Sequence, residues 1–160
     1  MSYRYKHIEL ALAETFKVTP EDMPAFRARL RHLRNLGVPA IPPPGSGQKI
    51  DYERSHAVQL LIALETELLG LTPLDAASFS RDVMMSNIAH LEEVARMGWR
   101  MYMSVDPSFA LEKHSGWVFF GSSGRYPEPV AKGSHRGACV DIATSIRMLD
   151  SSLKRLAKLS

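Results

Sequence analysis

The sequence predicts a mainly helical α+β protein, and three observations lead there. Apolar residues recur at helical spacing along most of the 160 residues. Two strand-like runs interrupt that pattern, an alternating one from Trp99 to Val105 and a second from Gly116 to Phe120. Hydrophobic residues at 45% and charged residues at 23% are the proportions of an ordinary globular chain. No apolar run approaches the ~20 residues that span a bilayer, and Met1–His7 lacks the apolar stretch of a secretory signal, so no membrane partner and a cytoplasmic location are expected. The single cysteine, Cys139, excludes an internal disulfide and a multi-cysteine zinc site.

The elements follow in order. Ile8, Leu12 and Phe16 recur every four residues and predict a short helix from about His7 to Lys17. Thr19-Pro20-Glu21-Asp22 reads as a turn and helix start, with Thr19 as N-cap, Pro20 in the first turn and Asp22 completing a capping-box spacing. In the second helix Met23, Phe26, Leu30 and Leu33 form an apolar side. Arg27, Arg31 and Arg34 step by four and three along its flank, and Gly37 ends it. Pro42-Pro43-Pro44, Gly45-Ser46-Gly47 and the alternating Gln48–Tyr52 predict a β-hairpin with a proline-stiffened first arm. A third helix is expected from Arg54 to Leu69, closed by Gly70. Thr72-Pro73-Leu74-Asp75 starts a short fourth helix ending near Phe79, and Ser80 caps another running to Met97. The strand-like runs are expected to pair. A loop over Gly121–Gly137 leads to a last helix, Ala138–Leu159, whose Cys139, Ile142, Ile146, Leu149, Leu153 and Leu156 form a heptad seam.

Charge is uneven along the chain. Residues 1–50 carry eight basic side chains against four acidic ones, whereas residues 51–77 carry Arg54 against five carboxylates. Helix, turn, cationic helix, hairpin and further helices form the order of a winged helix-turn-helix. That fold lays its second helix in the major groove and its wing on neighbouring phosphates. The run Gly47-Gln48-Lys49-Ile50-Asp51-Tyr52, then Leu60, Leu61 and Leu64, then Leu69-Gly70-Leu71-Thr72-Pro73-Leu74-Asp75, resembles the wing and following helices of MerR-type transcription regulators and excisionase-like domains. The resemblance covers residues 7–78, about half the chain. It implies a sequence-specific regulator binding double-stranded DNA as a homodimer, with Arg27, Arg31 and Arg34 facing DNA and Lys49 on the wing.

The resulting expectation is a DNA-binding domain at 1–78, followed at 79–160 by an α+β helix–hairpin–helix region for dimerisation or sensing of a small-molecule effector. Dimerisation is assigned to Ile142, Ile146, Leu149, Leu153 and Leu156, with packing on the chain's own strands as the alternative. Neither enzyme activity, a cofactor nor a metal is expected. His135 with Cys139, the Ser-x-x-Lys of Ser151–Lys154 and the Gly121–Arg125 loop each have a plainer reading as core or loop. Two other functions stay open. One is a ligand-binding or enzymatic domain around Trp99, Tyr102, Trp117, Phe119, Phe120, Tyr126 and that loop; the other is an adaptor joining a partner through the heptad helix.

Overall fold

The computed structural model describes residues 2–41, 50–97, 100–105, 117–122 and 139–159, with side chains given except at 82–88, 90, 92 and 100–139. The described elements are α1 (Tyr5–Thr15), α2 (Met23–Asn35), α3 (Arg54–Leu68), α4 (Pro73–Arg96), β1 (Arg100–Val105), β2 (Trp117–Ser122), β3 (Cys139–Asp141) and α5 (Ile142–Ala157). The protein is thus mainly helical, with a small sheet ordered β2-β1-β3. β1 pairs antiparallel with both neighbours, Tyr102 standing opposite Phe120 on one side and Asp141 on the other. Among the described residues no helix is long and apolar enough to cross a membrane.

Three helix ends share one device. After α1, α2 and α3 the chain turns back through paired bonds: Val18 N–H to Ala13, Val38 N–H to Leu33 and Leu71 N–H to Thr66, each with the preceding amide bonded one turn inside. This is a Schellman closure, and its pivot needs left-handed backbone. Gly37 at φ +83° and Gly70 at φ +99° supply it, while Lys17 adopts φ 52° with a side chain in place. The residue after each pivot is Val18, Val38 or Leu71, so the closure also points an apolar group inward.

α3 is the central helix. Every residue from Ala57 to Glu67 is buried, which explains an apolar pattern too broad for a surface helix. Around it one continuous core joins Ile8 and Leu12 of α1, Leu30 and Leu33 of α2, Leu91 and Val94 of α4 and Ile142, Ile146, Leu149 and Leu153 of α5.

Four expectations are corrected here. Residues 73–96 form one helix instead of two, because Ser80 does not cap anything: its Oγ donates to the Gln59 carbonyl at 2.6 Å, tying α4 to α3. The Thr72 start is as read, its Oγ1 accepting from Asp75 N–H at 3.2 Å. The domain boundary at 78/79 accordingly falls inside α4, and the two halves share a core. The last helix begins at Ile142 under an Asp141 cap, whose carboxylate accepts from Thr144 N–H at 3.2 Å, and Cys139 belongs to β3.

The heptad seam is the fourth. Ile142, Ile146 and Leu149 are 0% exposed and Leu153 is 1% exposed within the single chain, with Leu156 half-buried. The apolar surface of Ile142, Ile146, Leu149 and Leu153 is already removed from water by α1, α3 and α4, so these four positions are internal core of the single chain.

Candidate nucleic-acid interface

α2 is held by few residues and exposes many. Leu30 and Leu33 are its only buried positions, and Phe26 rests half-buried against Phe16 with ring centroids 6.3 Å apart. Arg27, Arg31 and Arg34 are all exposed. At 100° per residue they fall within an arc of about 60°, centred about 100° from the side of Leu30 and Leu33, so the stripe runs along an exposed flank of the helix. Their surroundings nevertheless differ. Arg27 donates Nε to Glu9 of α1 at 2.7 Å, with side chains 51% and 13% exposed. Arg31, in the middle of the stripe, makes no ion pair among the described residues. The Arg34 guanidinium lies 4.5 Å from the centre of the Tyr5 ring.

That last contact begins a chain of rings. Tyr5 packs on Tyr52 at 5.4 Å, and Tyr52 meets His56 edge-on at 6.2 Å. Tyr52 also exchanges two backbone hydrogen bonds with Tyr3, at 2.7 and 3.1 Å, a pairing that the sequence reading did not anticipate. The N-terminal segment therefore clamps the return arm of the expected wing and ties it, through Tyr5, to the end of α2. Burial pushes the Tyr5 phenol above its ordinary pKa while Arg34 pulls the other way, so the ring stays neutral and its face can receive the guanidinium. Burial also lowers the His56 pKa, against the opposing pull of Glu53. Its Nδ1 accepts the Glu53 N–H at 2.9 Å, a bond that needs the neutral imidazole.

The inner flank of α2 carries a residue that spacing alone did not single out. Arg29 donates Nε to Glu67 Oε2 of α3, whose side chain is 2% exposed, and the other carboxylate oxygen, Oε1, is buried with no hydrogen-bond partner. The signal for this pair was a carboxylate set within the apolar run of α3. Beyond the helix, Arg81 of α4 donates Nη1 to the Leu36 carbonyl, and Gln59 Oε1 accepts from Ala40 N–H at 2.9 Å. The C-terminal end of α2 is thus fixed by neighbours while its cationic stripe stays exposed.

The other predicted residues are placed as follows. Lys49, the three prolines Pro42–Pro44, His135, Tyr126 and most of the Gly121–Arg125 loop lie outside the described residues, as do the side chains of Trp99, Tyr102, Trp117, Phe119, Phe120 and Cys139. Ser151 donates Oγ to the Arg147 carbonyl at 2.9 Å, and Ser152 is buried. Among the described residues no three His, Cys, Asp or Glu side chains cluster as metal ligands. No protein-family profile matches the sequence, and no curated protein matches it at a significant level.

Proposed function

We propose that this chain is a sequence-specific regulator that binds double-stranded DNA, with α2 set in the major groove in the manner of a winged helix-turn-helix. The observation that carries the reading is the outward stripe of Arg27, Arg31 and Arg34 on a helix anchored by only two buried residues. Arginine pairs bidentately with the O6 and N7 edge of guanine, or neutralises a phosphate, and a helix presenting three of them at four- and three-residue steps can do both along one groove. Arg31 is the best placed to read a base. Arg34, stacked on Tyr5, is suited to a backbone contact beside the wing, where Lys49 adds a second.

A homodimer is part of the proposal, since one module touches few base pairs and two half-sites multiply discrimination. With the α5 seam internal, the second copy must be joined through a different surface. The test is an electrophoretic shift on random-sequence duplex followed by selection of bound sites. The triple variant R27A/R31A/R34A should lose binding while keeping its melting curve, and a palindromic selected site would report the second copy. Unchanged affinity in the triple variant overturns the assignment.

A further inference from the structure

The arginine stripe occupies a flank of α2, and the crest of the helix carries different residues. At 100° per residue, the direction opposite Leu30 and Leu33 is met within about 10° by Ala28 and Asn35 and within about 30° by Pro24, all three exposed. Arg31 and His32 stand about 50° to either side of it. Pro24 and Ala28 bring little bulk and no side-chain donor or acceptor, so Asn35 is the crest residue able to recognise a hydrogen-bonding pattern. Among the described residues its amide has no hydrogen-bond partner. Its backbone is held in place, since Gly37 N–H bonds to Arg34, Val38 N–H bonds to Leu33, and Arg81 donates to the Leu36 carbonyl.

We propose that Asn35 is a specificity-determining residue that reads adenine in the major groove. The inference rests on the DNA-binding reading and adds which base the crest of α2 selects. A helix lying in the groove turns its crest to the base edges and its flanks to the phosphate walls. Asn35 then faces bases, while Arg27 and Arg34 face the wall on the side of α1, whose Glu9 and Tyr5 they touch. The asparagine amide matches adenine with two bonds, Oδ1 accepting from the N6 amino group and Nδ2 donating to N7. Because the end of α2 is already fixed, little backbone freedom is lost when those bonds form. Arg31 and Asn35 are four residues apart, about 6 Å along the axis, against about 3.4 Å per base pair. The adenine therefore lies within about two base pairs of the guanine suited to Arg31.

The test is selection from random-sequence duplex by the full chain, by Asn35→Ala and by Asn35→Asp, with the bound pools sequenced. Asn35 is exposed, so Asn35→Ala should melt like the parent. The parent pool should fix an adenine within about two base pairs of a guanine. Asn35→Ala should keep the guanine and lower the adenine preference about tenfold, the middle of the range for a bidentate base contact. Asn35→Asp should replace the adenine by cytosine, whose N4 amino group donates to a carboxylate, a change of base that a merely structural role would not produce. An adenine preference kept by Asn35→Ala, a parent pool without that adenine, or loss of guanine and adenine together overturns the proposal. A parent that enriches no sequence at all overturns the DNA-binding reading on which it rests.

Discussion

Under the proposed DNA-binding reading, Glu9 limits how tightly α2 holds a duplex. Its carboxylate accepts from Arg27 Nε at 2.7 Å, so a phosphate approaching that arginine competes with an internal anion. Glu9→Gln keeps an oxygen acceptor at the same place and removes the charge. Arg27 is 51% exposed, which puts the pair in the range of about 0.2–1 kcal/mol that exposed ion pairs contribute. That energy, no longer set against binding, corresponds to affinity up to about fivefold tighter. The salt dependence gives a sharper reading. Each neutralised phosphate contributes about −0.9 to the slope of log K against log salt, so the proposed phosphate contacts of Arg34 and Lys49 give about −1.8, and Arg27 released from Glu9 brings the slope to about −2.7. Fluorescence anisotropy of a labelled duplex over a salt series measures both quantities. Glu14→Gln is the control, because Glu14 pairs with Arg155 of α5 and leaves the stripe untouched. Weaker binding by E9Q, an unchanged slope, or the same gain from E14Q would refute the reasoning.

Other perturbations probe the scaffold. Arg29→Ala leaves the buried Glu67 without its cation and should cost about 2 kcal/mol in denaturant melts, less than the ~3–5 of a fully buried pair because Arg29 is 43% exposed. Leu149→Ala should cost about 2–5 kcal/mol, and the charged double variant L149D/L153D should give an unfolded chain by circular dichroism; a folded double variant would contradict the internal seam. Glu65 is pushed above the usual carboxylate pKa by burial, partly offset by the Ser145 hydroxyl that donates to it at 2.6 Å. With the folded value raised, stability is full below the unfolded carboxylate pKa and falls as pH rises through the folded one. Glu65→Gln should therefore raise the melting temperature at neutral pH, with the gain vanishing as pH drops to ~4, and a gain independent of pH would sink the account.

The sequence made local features legible and left their partners hidden. Helix ends at Gly37 and Gly70 could be read from glycine because left-handed backbone has a strong residue preference; the end near Lys17 was legible from the apolar spacing, but the left-handed conformation of Lys17 itself, which lacks that preference, was not. The stripe of Arg27, Arg31 and Arg34 was visible from periodicity. That Glu9 neutralises one member and Tyr5 stacks on another depends on how α1 crosses α2, a tertiary fact with no local signature. The α5 heptad shows the same gap from the other side. A 3,4 spacing states that a helix has an apolar face; whether that face meets a second chain or its own core depends on what else needs covering, and α1, α3 and α4 all present apolar sides to it. Ser80 misled because a serine before a helical run has the same sequence appearance whether its hydroxyl caps or, as here, reaches the carbonyl of a neighbouring helix.

The last turns of α3 explain why a helix so deeply buried keeps two carboxylates. Glu65 and Glu67 are about 200° apart around the axis, so they leave the helix on opposite sides. One meets Ser145 of α5 and the other Arg29 of α2. Desolvating each costs free energy, visible in the raised Glu65 pKa and in the unpartnered Glu67 Oε1, and apolar residues of similar size would avoid that cost. What apolar residues cannot do is distinguish one rotation of a neighbouring helix from another, since hydrophobic contact has no direction. α2 most needs such a directional tie, because only Leu30 and Leu33 anchor it. A helix held by two buried leucines can roll, and a roll of one residue's arc would turn the arginine stripe by about 100°. The Arg29–Glu67 bond opposes that roll from the inner flank while Arg34 on Tyr5 opposes it from the outer one, which keeps Arg31 facing outward.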